Sequence, residues 1–92
     1  MSIAIDLRGE KALVTGAGAG IGREIAIWLA EAGASVAVND LVPERAESVV
    51  KEIIHNGGEA YAVPADCRDD TAVDELVKRS VAVMGGLSIA VN

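Results

Sequence analysis

Thr15-Gly16-Ala17-Gly18-Ala19-Gly20-Ile21-Gly22 is the stretch that decides how this chain folds. An apolar strand, Ala12-Leu13-Val14, runs into it, and an apolar helix, Ile21 to about Ala32, runs out of it. Strand, glycine-rich turn and helix together make a phosphate site. Glycine admits positive φ and lets a ligand approach backbone with no Cβ in the way. The first amides and the positive dipole end of the helix then face the anion. The spacing narrows the choice. A P-loop needs Lys and Ser/Thr after its last glycine, but Arg23-Glu24 follow Gly22. The G-x-G-x-x-G fingerprint needs glycine at position 21, which is Ile. What remains is T-G-x-x-x-G-x-G, made by Thr15, Gly16, Gly20 and Gly22, with Gly18 as an extra glycine.

Upstream, residues 1–10 form a short lead-in, with Arg8-Gly9-Glu10 as a turn before a strand over Lys11–Thr15. That strand is too apolar at its centre to have a wet face, which suits a parallel sheet covered on both sides. Downstream, Ile21, Ile25, Trp28, Leu29 and Ala32 recur at helical spacing. Ala26, Ile27 and Ala30 fill the opposite side, so the helix is expected to be mostly enclosed, with Trp28 in the core and Gly33 closing it.

Ser35–Val38 is a second apolar strand, ending at Asn39-Asp40. Asp40 lies about twenty residues past the glycine turn, where a dinucleotide fold places the acid that holds the adenosine ribose. A carboxylate there accepts from both ribose hydroxyls and repels a 2′-phosphate. The plainer alternative is that Asp40 starts the next turn. Ala19 favours the unphosphorylated cofactor as well, since a loop for the phosphorylated one often carries a basic residue near that point. Arg45 reads as a solvated residue of the following helix. That helix starts at Pro43, carries Ala46, Val49, Val50, Ile53 and Ile54 as its stripe, and ends at Asn56-Gly57-Gly58. His55, in its last turn, has no neighbouring Cys or His and is not a metal ligand.

Glu59–Val63 is a third strand, limited by Pro64. At its end Asp66 can accept from an adenine amino group while the Cys67 amide meets a ring nitrogen. Alternatively Asp66 or Asp69 caps the third helix. Cys67 has no histidine base near in sequence and is not expected to be a nucleophile. Val73, Leu76, Val77, Val81 and Met84 mark the third helix. Its acidic start (Asp69, Asp70, Asp74, Glu75) and later Lys78 and Arg79 suit the helix dipole. Gly85-Gly86 ends it, and Leu87–Val91 is a fourth strand before Asn92.

Composition excludes several classes. Ninety-two residues make one small domain, 51% hydrophobic and 24% charged, which is not a disordered composition. A net charge of −6 disfavours nucleic acid and anionic membrane surfaces as partners. One cysteine permits no internal disulfide and suits a reducing, cytoplasmic setting. No signal peptide and no membrane-spanning run is visible.

The pattern β-α-β-α-β-α-β with short, right-handed crossovers implies an α/β, Rossmann-like, doubly wound parallel sheet in order 3-2-1-4. Its cofactor belongs at the carboxyl ends of the strands, near the switch point between strands 1 and 4. Gly16–Gly22, Asp40, Asp66 and Asn92 all fall at such ends.

The chain resembles the classical short-chain dehydrogenases/reductases along essentially its whole length. The resemblance rests on T-G-x-x-x-G-x-G at 15–22, on Asp40, on the Ala65-Asp66 turn, and on Leu87–Asn92, which is similar to the family's run into N-N-A-G. Ser88 and Ala90 depart mildly, standing where the family often has Asp and a larger aliphatic. The resemblance implies hydride transfer between NAD(P) and an alcohol or carbonyl, and Asp40 points to NAD over NADP. It implies cofactor contacts at Gly16, Gly18, Ala19, Gly20, Ile21, Gly22, Asp40, Leu41, Asp66, Cys67 and Asn92. It carries over no catalytic residue. The family uses Ser, Tyr-x-x-x-Lys and a further Asn beyond the fourth strand, and Tyr61 here is followed by Ala65 four positions on. Residues 1–92 thus read as the NAD-binding N-terminal half of a longer fold. Met1 reads as a natural start and Asn92 as a stop inside a motif. Partners implied are a small-molecule substrate and, through the uncovered fourth strand, a second copy of the chain. A non-catalytic nucleotide-binding or self-associating module is the rival reading.

Overall fold

Four parallel strands and three helices alternate through the computed structural model, which describes residues 5–92. The start of the lead-in, including Met1, lies outside the described residues. The strands are β1 (Lys11–Val14), β2 (Ser35–Val38), β3 (Glu59–Ala62) and β4 (Ile89–Val91), and they lie side by side in the order β3-β2-β1-β4. This is the expected doubly wound arrangement. The register is level: Val14 pairs with Val38 and with Val91, and Val38 with Ala62. Thr15, Asn39, Val63 and Asn92 therefore leave the sheet along one line, and that line is where the site lies.

The central strands β1 and β2 are buried on both faces because they are apolar at every central position, whereas Ala90 of β4 is exposed. Ala12, Val14, Val36 and Val38 face one core with α1 (Gly20–Glu31) and α2 (Pro43–His55). Leu13 and Ala37 face the other with α3 (Asp70–Met84). Alternation along each strand sends neighbouring residues to opposite cores. β3 and β4 are one and two residues shorter than their apolar runs. Val63 still donates to the Val38 carbonyl at 2.9 Å before Pro64 leaves the sheet. Ser88, outside β4, closes onto β1: its hydroxyl accepts from the Lys11 amide at 2.8 Å and its amide donates to the Lys11 carbonyl at 2.8 Å.

Two helix ends follow the expected chemistry. Pro43 opens α2, and Asp69 rather than Asp66 caps α3, accepting from the Thr71 amide at 2.8 Å. The helix faces differ from the sequence reading. Trp28 is 51% exposed and Ile21 81% exposed, so α1 is not enclosed. It buries Ala26, Leu29 and Ala30 against the sheet, with Ile25 and Ile27 partly buried beside them, and the two alanines let the helix come close. Glu52 of α2 closes one flank through Arg23, at 2.6 and 2.7 Å, and the Ile21–Trp28 flank stays open. On α2, Ile54 points outward. On α3 the inward positions are Leu76, Ser80 and Met84, while Val77 and Val81 are exposed. Ser80 can be buried because its hydroxyl donates to the Leu76 carbonyl at 2.7 Å. No helix of the described residues is long and apolar enough to cross a membrane.

Candidate cofactor site

The glycine turn is built by backbone needs at defined positions. Gly16 and Gly20 have φ of 62° and 60°, values an L side chain rarely adopts. Gly22, in the first turn of α1, packs its Cα so close to the Gly16 carbonyl that a Cβ would overlap it. Gly18 faces a side chain: a Cβ there would sit 2.7 Å from Asp40 Cγ and 2.7 Å from Arg45 Cβ. The extra glycine of the motif is thus a notch for Asp40. Ala19 precedes α1 in an extended conformation, and no side chain caps the helix. Its first amides are left for an anion, which is the requirement of a pyrophosphate site.

β2 supplies the residues that hold the turn. Asn39, 1% exposed, was not singled out in the sequence, yet it joins three segments. Its side-chain Nδ2 donates to the Val63 and Ala65 carbonyls at 3.0 and 3.4 Å. Its Oδ1 accepts from the Gly16 amide at 3.4 Å and from the Cys67 thiol at 3.3 Å. Its carbonyl accepts from the Ala17 amide at 2.6 Å. The available signal was a bare amide following three apolar residues at the end of a central strand.

Asp40, 5% exposed, turns its carboxylate toward the glycine turn. Oδ1 accepts from the Gly18 amide at 3.2 Å, and Oδ2 from the Val42 amide and Arg45 Nε, both at 3.0 Å. Burial works against its charge, but these three donors outweigh burial and hold the carboxyl below its ordinary range. Arg45 is accordingly not simply solvated: it forms an ion pair with Asp40.

Across the groove Asp66 is forked by Arg68, at 2.8 Å from Nη2 and 2.9 Å from Nε. Those side-chain bonds come first in lowering its carboxyl to about 2. Burial, then the charge of Asp66, raises the Cys67 thiol above its ordinary value, which disfavours the thiolate. Gly16, Asp40, Leu41, Asp66 and Cys67 line one groove together with Thr15, Asn39, Ala65 and Arg68. Gly20 and Ile21 border a separate depression along α1 with Arg23, Glu24, Ile25 and Trp28. Asn92 stands on the other side of the turn, where Thr15 Oγ1 lies 3.3 Å from both its Oδ1 and the Val91 carbonyl.

Known proteins share this arrangement. The sequence model of the family described as short chain dehydrogenase matches residues 10–92. The 7alpha-hydroxysteroid dehydrogenase of Escherichia coli (strain K12) is 44% identical over 86 residues, 94% of this chain and 34% of that protein. The 2,3-dihydro-2,3-dihydroxybenzoate dehydrogenase of Bacillus subtilis (strain 168) is 43% identical over 86 residues, 94% of this chain and 33% of that protein. A solved structure of 7 alpha-hydroxysteroid dehydrogenase complexed with NADH and 7-oxo glycochenodeoxycholic acid superposes with a TM-score of 0.94 at 43% identity. It covers 97% of this chain and 35% of that one. The chain thus spans about a third of the length of the relatives it matches. Strand order, glycine turn and family match agree, and the chain belongs to the short-chain dehydrogenase family.

Proposed function

We propose that residues 1–92 form the NAD-binding, N-terminal half of an oxidoreductase that moves hydride between NAD(H) and an alcohol or carbonyl substrate, in the cytoplasm. The observation that carries the reading is the level row of strand ends. It brings the glycine turn, Asp40 and the Asp66-Cys67 turn to one rim of the sheet. The residues fit the cofactor. The uncapped start of α1 suits the pyrophosphate, Gly16 takes a positive φ and Gly22 has no room for a side chain, and an acid lies where a ribose is read.

In this reading the amides of Gly20, Ile21 and Gly22 hold phosphate oxygens, with Ala19 setting the direction of the helix. Asp40 and Leu41 meet the adenosine ribose. Asp66 and the Cys67 amide meet the adenine edge. Thr15 and Asn92 fix the turn against β4 on the nicotinamide side. Bound there, the dinucleotide supplies the hydride chemistry. The groups of this chain bind and orient, and none of them moves the substrate proton.

Calorimetry of the protein with NAD and NADP tests the reading. Saturable binding with NAD the tighter ligand is the expected result, and absence of binding by either cofactor overturns it. In a longer chain carrying this half, Tyr-x-x-x-Lys beyond Asn92 is required for activity.

A further inference from the structure

Asp40 is engaged by more donors than a ribose acid requires. A carboxylate offers about four lone-pair positions. On Oδ2, the Val42 amide and Arg45 Nε occupy both at 3.0 Å, and Arg45 Nη2 also lies 3.0 Å away. On Oδ1, the Gly18 amide occupies one at 3.2 Å. With Arg45 in place, Asp40 has room for one ribose hydroxyl rather than two, and its charge is countered by the guanidinium.

Arg45 is the third residue of α2, its amide fixed to the Val42 carbonyl at 3.1 Å. Its side chain is 52% exposed, against 7% for Asp40. A guanidinium has five N–H donors, and the contact with Asp40 uses two groups of the fork. The half-exposed side chain keeps its remaining donors beside Asp40, which lines the groove. The opposite wall repeats the pattern, since Asp66 is paired with Arg68 at 2.8 Å. Each of the two carboxylates that line the groove is therefore paired with a guanidinium, in a chain of net charge −6.

We propose that Arg45 is a second specificity-determining residue of this groove. Pinned beside Asp40, it offsets part of the charge that would repel a 2′-phosphate and offers that phosphate its remaining donors, so the groove takes NADP as well, with NAD still the tighter. The assignment rests on the cofactor reading above and moderates the preference that Asp40 alone would impose.

Calorimetry with NAD and NADP on the unsubstituted protein, Arg45→Met and Arg45→Lys tests it. Arg45→Met should weaken NADP about tenfold more than NAD, the scale of one solvent-screened charged contact. Arg45→Lys, which keeps the charge, should retain most of the NADP affinity. A purely structural role for Arg45 would weaken both cofactors equally, and that result overturns the proposal. A salt titration of the unsubstituted protein gives an independent answer that needs no variant to fold. If Arg45 attracts the 2′-phosphate, NADP affinity falls relative to NAD as ionic strength rises; a relative increase means that Asp40 repulsion dominates and overturns the proposal. If neither cofactor binds the unsubstituted protein, the cofactor reading itself fails and the Arg45 assignment falls with it.

Discussion

Asn39 accepts the Gly16 amide on its side-chain oxygen at 3.4 Å, while its nitrogen donates to the Val63 carbonyl at 3.0 Å. One buried amide thereby couples the glycine turn after β1 to the strand end at β3. Every functional expectation for the groove depends on that coupling, because the two walls of the groove belong to different crossovers.

Replacing Asn39 by Ala leaves the Gly16 amide and the Cys67 thiol without their acceptor and opens a small void at a site 1% exposed. Losing a buried, multiply bonded polar group costs about 1–3 kcal/mol. Urea denaturation should show a loss of that size with the slope unchanged. Cofactor affinity should fall as well, because the turn loses its brace. An unaltered midpoint would mean that Asn39 is a passenger.

The two close-packed glycines of the turn should fail differently. At Gly22 a Cβ meets the backbone carbonyl of Gly16, which has nowhere to go without moving the turn. At Gly18 it meets Asp40 Cγ and Arg45 Cβ, each at 2.7 Å; the Asp40 carboxylate can turn, while Arg45 Cβ yields only with a small shift of the start of α2. Gly22→Ala should lower thermal stability and abolish NAD binding together. Gly18→Ala should keep the fold by circular dichroism and change chiefly the ratio of NAD to NADP affinity, since it displaces the ribose acid. Equal thermal losses in the two variants would contradict this ordering.

What the sequence made legible was what short-range chemistry fixes. Strand order, the positive-φ glycines, Pro43 at a helix start and the Asp69 cap all follow from local constraints. Trp28 and Ile21 were misplaced because periodicity says that a helix has an apolar stripe and not how much of it a neighbour covers. On α1 two alanines and Leu29, not Ile21 or Trp28, define the buried side. Asn39 and the Arg45–Asp40 pair were invisible for a related reason. Both are contacts between segments, and sequence spacing alone does not show which donors a carboxylate or amide will meet.

Asp40→Ala should narrow the preference for NAD over NADP by about tenfold, since it removes both the acceptor for the ribose and the charge opposing a phosphate. An unchanged affinity ratio in calorimetry would remove Asp40 from the site. The same residue predicts a pH dependence. Its carboxyl is held below its usual value in the fold, against about 3.9 in the unfolded chain. Its stabilising contribution is therefore complete above about 3.9 and is lost as pH falls through the lower folded value. The stability gap between the unsubstituted protein and Asp40→Asn should be constant near neutrality and close on acidification. A gap that widens with acid would reverse the sign of the assignment.

The last prediction concerns the uncovered side of the sheet. Among the described residues β4 pairs with β1 alone, so one row of its backbone groups has no strand partner. On one face of the sheet, α1 exposes Ile21 and Trp28; on the other, α3 exposes Val77 and Val81. A free parallel edge, together with exposed apolar side chains on both helix layers, favours association. The 92-residue chain should accordingly self-associate in light scattering, with a mass that rises with concentration. Trp28 fluorescence should shift to the blue over the same range as its ring loses water. Trp28→Glu, at a side chain already half exposed, should leave the fold intact and weaken association by placing charge on that flank. A monodisperse monomer at millimolar concentration would show that edge and helix flanks tolerate water, and association would then have to come from elsewhere.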